Sequence, residues 1–242
     1  MHSTMYQVEY ATEQDATGLA EVNTLSFANR LMFGGFFPGA SQPALRDYKA
    51  MYVMKHFVNP EIHVLKITDP IENEIVGYSR WHIPTTFREP HVPKLSEKAK
   101  IAAQDPLVFA PQPRNENLKT AFRVLLEGRR RRHTTNRDIG LFILRLSLFS
   151  TNPYVVLELL ATMPSHQGRG VGSALLRWGT TQADALQARI YLEATPQGYP
   201  LYLKHGWKPV EKITLDYGQY GSEGQEGFIL MMRDPRPISV TI

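Results

Sequence analysis

The segment from Tyr154 to Leu186 constrains the fold more than any other part of this chain. Residues 154–162 are largely apolar and include β-branched side chains, which is typical of a buried strand. Pro164 ends that strand because proline has no backbone N–H for a sheet ladder. Three glycines follow at alternate positions within residues 167–172, and residues 173–186 have the apolar spacing of a helix. Bare backbone N–H groups before a helix N-terminus favour a bound phosphate group.

Three kinds of phosphate-binding loop place glycines before a helix. A Walker-type loop requires Gly-Lys-Ser/Thr, and this segment has no such lysine. A dinucleotide fingerprint requires G-x-G-x-x-G directly after the strand, whereas here Ser173 takes the sixth position and several residues separate the strand from Gly168. Glu193 has a suitable sequence separation for a ribose contact, but roughly seventy residues after Gly172 are too few for the rest of such a fold. The dinucleotide interpretation is therefore the weaker alternative.

The third kind of loop fits the flanking sequence best. Gln167-Gly-Arg-Gly-Val-Gly172 resembles the Gln/Arg-x-x-Gly-x-Gly/Ala pyrophosphate motif of the GNAT superfamily of acyl-CoA-dependent N-acyltransferases. Residues 160–164 resemble that family's Leu-Ala-Val-x-Pro strand end, with threonine in place of valine. Residues 201–207 resemble its Tyr-x-Lys-x-Gly-Phe segment, with tryptophan in place of phenylalanine. The resemblance in motifs covers about residues 154–213.

The resemblance implies an α/β (α+β mixed sheet) fold of the GNAT type. Its central sheet is mostly antiparallel, with one parallel strand pair splayed around the coenzyme and helices on both faces. We expect a single N-acetyltransferase domain over residues 1–237, followed by a short tail at 238–242. The stretch at about 84–150, proline-rich in its first part, departs from the family's minimal pattern and is expected to be a surface insertion. Within it, residues 128–133 form a basic run that is either a solvated helix end or an anion-binding patch.

By the same resemblance, acetyl-CoA is the co-substrate, and backbone N–H groups of the glycine motif hold its pyrophosphate. The splayed strand end would expose main-chain groups to pantetheine, and the Thr162 N–H would polarise the thioester carbonyl. Arg169 either adds charge near the phosphates or points to solvent. The predicted coenzyme-binding residues are Leu160, Ala161, Thr162, Gln167, Gly168, Arg169, Gly170, Val171, Gly172 and Ser173.

Two side chains are predicted to take part in the chemistry. Tyr202 matches the position of the tyrosine that commonly protonates the departing thiolate in this family, and its alternative role is packing. Glu158 is the only charge in an apolar strand, so burial is expected to raise its pKa toward that of a general base. The alternative for Glu158 is a structural ion pair or an edge position facing solvent. His166 is expected at the surface because it lies in a loop.

The acceptor is predicted to be the primary amine of a small molecule. An aromatic, glycine-rich loop at residues 30–39 and the long insertion can enclose a compact pocket. Direct transfer in a ternary complex is expected because the chain has no cysteine to carry the acetyl group. The alternatives are acetylation of a protein lysine or N-terminus, and a non-catalytic acetyl-CoA-binding module. The predicted substrate contacts are Phe33, Phe36, Phe37 and Trp81.

Composition also limits which kinds of site and partner the chain can have. The absence of cysteine excludes disulfides and thiolate metal sites, and no His or carboxylate cluster has metal-ligand spacing, so no metal is expected. No signal-peptide pattern or membrane-spanning run is visible, which predicts a cytoplasmic protein with no membrane partner and leaves a nuclear location open. A net charge of +4 is too small to indicate nucleic acid as a partner. A homodimer is compatible with the sequence.

Overall fold

The computed structural model describes residues 6–84, 91–134 and 154–237. Seven strands form one sheet in the order β1-β2-β3-β4-β5-β7-β6. Neighbouring strands are antiparallel except β4 and β5, which run parallel, so the predicted sheet type is confirmed. The strands are β1 (Glu9–Tyr10), β2 (Ile62–Thr68), β3 (Ile75–His82), β4 (Tyr154–Thr162), β5 (Arg189–Ala194), β6 (Lys208–Asp216) and β7 (Gln225–Arg233).

Helices cover both faces of this sheet, as predicted. Helix α7 connects the two parallel strands and packs on one face, while α1, α3, α4, α5 and α6 pack on the other. None of the described helices is both long and apolar enough to cross a membrane. The helices are α1 (Ala16–Ser26), α2 (Leu31–Phe36), α3 (Gln42–Tyr52), α4 (Met54–Phe57), α5 (Glu97–Gln104), α6 (Glu116–Thr134), α7 (Val171–Ala185) and α8 (Tyr199–Lys204).

Successive side chains of a strand point to opposite faces of the sheet, so the apolar side chains form two cores, one on each face. On the α7 face, Leu175 packs with Trp81 and other buried strand residues. On the opposite face, Leu19 of α1 packs with Val64 and Tyr78. Because neighbouring residues of a strand point to opposite faces, β2, β3 and β4 each contribute to both cores.

Helix α6 lies in the stretch that the sequence analysis interpreted as a surface insertion, yet it contributes to the core. Leu118 is completely buried, and Phe122 packs edge-on against Phe228 of β7 with ring centroids 5.5 Å apart. From sequence, a helix is predicted over residues 118–126 alone, and α6 extends well beyond them because its inner face is covered by the sheet. It forms one wall of the space above β4 and β5.

Residues 30–39 differ from the predicted loop, because α2 occupies most of them. Phe33 and Phe36 are buried, and a Cβ at Gly35 would lie only 2.9 Å from a methyl group of Leu118. Glycine is therefore required there for close packing against α6. The apolar run at 139–149, for which the sequence predicts either a buried helix or a buried strand, lies outside the described residues, as does the predicted tail at 238–242.

Candidate active site

A β-bulge in β4 sets the position of Glu158. Arg80 of β3 pairs with Leu159, and Trp81 pairs with Leu157, so Glu158 has no partner in this ladder. An extra residue of this kind bends the strand and changes the direction of its side chain, and such bulges are common beside active sites.

Strands β4 and β5 separate just beyond this bulge. Their last paired residues are Leu157 and Leu192, whereas β4 continues to Thr162. Residues 158–162 therefore have no partner in β5, and their main-chain groups on that side require other partners. The Thr162 carbonyl accepts a hydrogen bond from Ser26 Oγ at 2.8 Å. The parallel pair is thus splayed, as the resemblance implies, and the splay begins before Leu160.

A cleft of about 1350 Å³ opens at the splayed strands. Its lining comes from the glycine motif and α8 at one side, from β4 and β5, and from α1, α3 and α6 at the other. Typical small-molecule sites enclose roughly 300–1,000 Å³. The cleft is therefore large enough to hold two substrates side by side.

The glycine motif forms the turn that enters α7. Gly168 and Gly170 have φ values of +74° and +93°, in the left-handed region that favours glycine. Gly170 is the N-cap of α7, and no atom lies within 4 Å of a Cβ built at either glycine. Open space beside the free N–H groups and positive dipole of a helix start suits an anion.

Most of the predicted coenzyme-binding residues lie around this cleft. Arg169 is exposed and is not part of the lining, which agrees with its alternative role of pointing to solvent. The lining residues among those predicted are Leu160, Ala161, Thr162, Gln167, Gly168, Gly170, Val171, Gly172 and Ser173.

Two arginines, two glutamates and a histidine form a charge network in the cleft. Arg80 Nε donates to Glu158 Oε2 at 2.8 Å, and Arg130 Nη1 lies 3.4 Å from Glu158 Oε1. Arg130 Nη2 also lies 3.3 Å from Glu193 Oε2. His56 Nε2 accepts from Arg80 Nη1 at 2.9 Å, since a guanidinium only donates. The network links α4, β3, β4, α6 and β5.

The two glutamates of this network differ in proton affinity. Burial raises the pKa of Glu158, but the charges of Arg80 and Arg130 outweigh burial and hold that pKa below its ordinary value. For Glu193, burial dominates and raises the pKa, although Arg130 opposes it. The predicted raised pKa of Glu158 is therefore wrong, and the ion-pair alternative describes its contacts. Carboxyl groups whose pKa values are pushed apart are typical of acid–base sites.

Tyr202 lies on α8 and lines the cleft. Its ring packs edge-on against Trp207 with centroids 5.9 Å apart, and the residue is 8% exposed, so the packing role is present. Burial raises the pKa of its phenol above the ordinary value. The hydroxyl therefore keeps its proton at neutral pH and is able to donate it.

The predicted aromatic substrate contacts occupy different places. Phe36 and Phe37 line the cleft, whereas Phe33 lies behind that lining in the core. Trp81 is completely buried on the α7 face, where a Cβ at Gly179 would overlap its ring. The prediction for Trp81 is wrong because strand alternation turns its side chain away from the cleft.

His166 also differs from its prediction. It is 6% exposed, and its Nε2 lies 3.2 Å from Asp69 Oδ2, so it is a buried loop residue with a carboxylate partner. Within residues 6–84, 91–134 and 154–237, no group of three or more His, Asp or Glu side chains is arranged to hold a metal ion.

The basic run at 128–133 occupies the last two turns of α6, and only part of it reaches the cleft. Arg130 enters the charge network, while Arg129 contacts Glu211 at 3.1 Å outside it. Successive residues of a helix point about 100° apart, so consecutive arginines cannot share one face. The basic run is visible in the sequence, but only the packing of α6 shows that Arg130 is the residue that joins the charge network of the cleft.

Sequence reasoning missed several other basic residues of the cleft, and four of them show why. Arg80 lies in a strand, while Lys49, His56 and Lys119 lie in helices, and none belongs to a recognisable motif. The four residues come together only in the folded chain. No pattern in the sequence marks them as neighbours.

Residues 131–209 match the family model of the acetyltransferase (GNAT) domain. This range contains β4, the glycine motif, α7, β5 and α8. Comparison with curated proteins gives no match.

Several solved structures share the fold over nearly the whole chain. One, described as histone acetyltransferase HPA2 and related acetyltransferase from Corynebacterium glutamicum, is 24% identical with a TM-score of 0.56, over 97% of this chain and 99% of that chain. The C-terminal condensation domain of Ebony in complex with beta-alanyl-dopamine is 13% identical with a TM-score of 0.56, over 95% and 99%. An acetyltransferase from Thermus thermophilus is 16% identical with a TM-score of 0.51, over 97% and 99%. At these identities the similarity establishes the fold alone.

Proposed function

We propose that the chain is an acetyltransferase of the GNAT superfamily, whose family model matches residues 131–209, and that it transfers an acetyl group from acetyl-CoA to the primary amine of a small molecule. The observation that carries this proposal is the continuity of the cleft from the glycine motif to a space walled by α1, α3 and α6. Such walls suit a compact acceptor better than an extended peptide. Transfer is direct, in a ternary complex, since the chain has no cysteine to carry the acetyl group.

In this proposal the coenzyme spans the splayed strands. Backbone N–H groups of residues 167–172 bind the pyrophosphate at the start of α7. The unpaired main-chain groups of residues 158–162 bind the pantetheine arm in place of a strand neighbour. The Thr162 N–H polarises the thioester carbonyl, a kind of contact whose loss typically costs about a hundred- to a thousandfold in rate.

The chemistry requires a neutral amine and a proton for the leaving thiolate. An amine with a pKa near 10.4 is only about one part in a thousand neutral at pH 7, so a base is needed. Glu193 accepts that proton, since its raised pKa makes it a better base than an ordinary carboxylate. As the new C–N bond forms and the C–S bond breaks, Tyr202 gives its proton to the thiolate. Glu158 stays ionised and holds Arg80 and Arg130 in position.

An acceptor screen tests the proposal. Release of the free thiol of coenzyme A would be followed with a panel of small amines, polyamines and amino acids, and with lysine-containing and N-terminal peptides. We expect turnover with members of the small-molecule panel. Turnover with peptides alone would favour protein acetylation, and acetyl-CoA binding without any thiol release would indicate a non-catalytic module.

A further inference from the structure

Three lysines line the part of the cleft formed by α3, α4 and α6. They are Lys49, Lys55 and Lys119. None of them forms an ion pair with a carboxylate anywhere in the described parts of the chain. In contrast, the cleft arginines Arg80 and Arg130 are both paired with glutamates.

The surroundings of these lysines are aromatic. Lys49 Nζ lies 4.8 Å from the ring centroid of Phe33 and 5.7 Å from that of Tyr52. Lys55 Nζ donates to Tyr52 Oη at 2.6 Å. The Lys119 ammonium lies 5.8 Å from the ring centroid of Phe37; it is buried and has no hydrogen-bond partner among the described residues. Contacts with aromatic faces offset only part of the cost of burying an ammonium group.

The acidic residues of the same region are engaged elsewhere. Glu116, one turn before Lys119, lies 2.7 Å from Arg114 Nε. Asp105 is exposed and caps the turn that follows it, accepting from the Leu107 N–H at 3.2 Å. The nearest strand carboxylate, Glu158, is shared by two arginines. The region around the three lysines therefore carries an excess of positive charge.

This excess of positive charge opposes protonation of the lysines. Burial, assisted by the charges of Arg80, Lys119 and Lys55, lowers the pKa of Lys49 to about 7. The pKa of Lys119 is also lowered, chiefly by burial. An anion placed between these groups would supply the missing partner and restore their ordinary proton affinity.

We propose that Lys49 and Lys119, with Lys55 beside them, form a subsite for an anionic group of the acceptor, a carboxylate or a phosphate. The inference rests on the proposed small-molecule acetyltransferase function and specifies its substrate class as an amine that also carries an anion. The rings of Phe37, Tyr48 and Tyr52 contact the carbon skeleton that connects the two groups.

The place of this subsite separates it from the coenzyme phosphates. Lys49 and Lys119 lie on α3 and α6, on the face opposite α7, whereas the glycine motif begins α7. Arg80 is close enough to Lys49 to affect its proton affinity and also contacts Glu158 beside the splay. The subsite therefore adjoins the reacting centre, so one small molecule is able to reach both.

Matched acceptors test the subsite. Phenylalanine would be compared with phenylethylamine, and O-phosphoethanolamine with ethanolamine, using the full chain with saturating acetyl-CoA. We expect kcat/KM to be about tenfold or more higher for at least one anionic member than for its neutral counterpart. The first pair tests whether the subsite recognises a carboxylate, and the second pair tests whether it recognises a phosphate ester.

The variants Lys49→Met and Lys119→Met, singly and together, then assign the preference to these side chains. Methionine keeps the unbranched shape and removes the charge. The kcat/KM for the anionic acceptor, divided by that for its neutral counterpart, should therefore fall about tenfold or more, mainly because KM for the anionic acceptor rises. Lys100→Met is the matched control, because Lys100 is an exposed residue of α5 that contacts Glu97. A second readout is thermal unfolding: the anionic acceptor should raise Tm of the native chain and not of the double variant.

Three results would overturn this inference. Equal kcat/KM within both acceptor pairs would leave the small-molecule function intact and remove the anion subsite. A preference that persists in the double variant would place the anion elsewhere. Turnover of peptides only would remove the proposed function together with the subsite.

Discussion

Glu158 and Glu193 lie on adjacent strands and both contact Arg130, yet only Glu158 has a second guanidinium partner. This difference, together with the burial of Glu193, moves their pKa values in opposite directions. Protonation of one glutamate changes the pKa of the other, so the apparent pKa values describe the pair and not a single residue. A carboxylate held ionised by two arginines is a weak base, whereas a buried carboxylate with a raised pKa is a stronger one.

The pH dependence of kcat/KM distinguishes the two glutamates. In the native enzyme the rate should fall as pH drops through the raised pKa of Glu193. Glu193→Gln should remove this acid limb and lower the rate by about 10²- to 10⁴-fold. Glu158→Gln should keep the limb but move it to lower pH, because loss of the neighbouring negative charge lowers the pKa of Glu193.

Glu97→Gln is a suitable control for this comparison, since Glu97 forms an exposed ion pair on α5 away from the cleft. Its profile should match that of the native chain. An acid limb unchanged in Glu193→Gln would exclude this residue as the base.

Tyr202→Phe separates proton donation from packing. The ring stays and its contact with Trp207 is preserved, so the free energy of unfolding should change little. If the hydroxyl protonates the thiolate, kcat should fall about ten- to a thousandfold while the Kd for acetyl-CoA stays within about twofold. Steady-state kinetics and calorimetry provide the two measurements, and equal kcat in both proteins would leave Tyr202 with its packing role alone.

At the scale of elements, β4 and α7 perform separate tasks in one continuous segment. The bulge at Glu158 and the end of pairing at Leu157 open β4 toward the cleft. The two positive-φ glycines then turn the chain into α7, so that the first helical N–H groups lie beside the opening. Strand and helix thus provide consecutive parts of one binding surface.

Gly170→Ala tests the turn into α7. Alanine at a φ of +93° is strained, so the variant should lose about 1–2 kcal/mol of stability although its Cβ meets no other atom. The strain should also displace the N–H groups of the first turn and weaken acetyl-CoA binding about tenfold. Thermal unfolding and calorimetry measure the two effects.

Gly128→Ala provides the matched control, because Gly128 lies inside α6 without a positive φ and its Cβ would also meet no atom. This change should stabilise the chain by about 0.5–1 kcal/mol, as expected for a helix interior, and leave coenzyme binding unchanged. Equal coenzyme affinity in Gly170→Ala would show that the turn does not position the binding groups.

Helix α6 shows where element prediction from sequence is limited. The pattern at residues 118–126 correctly predicts a helix there, but α6 extends from Glu116 to Thr134. The glycine and four consecutive arginines near its end do not suggest a helix that packs on a sheet. Contact of its inner face with β5 and β7 stabilises those turns, and tertiary contacts of this kind override local propensity.

For the molecule as a whole, the cleft exists because helices from distant parts of the chain meet above the splayed strands. Helices α1 and α3 precede β2, whereas α6 lies between β3 and β4 in the chain. Together they wall one part of the cleft, beside the glycine motif and β4, which belong to a single segment. In the proposed function, coenzyme recognition is therefore local in the chain, and acceptor recognition is not.

By itself the sequence determined β4, the glycine motif, α7 and the α8 segment, and through them the sheet type and the resemblance to the GNAT family. These features depend on side-chain periodicity, on proline and glycine conformation and on short spacings, all of which are local. Only the tertiary structure decided that Arg80 and Arg130 hold Glu158 ionised, that Trp81 faces away from the cleft, and that unpaired lysines enter it. Burial and the distance between charges determine pKa values, and both arise from contacts between residues that are far apart in the chain.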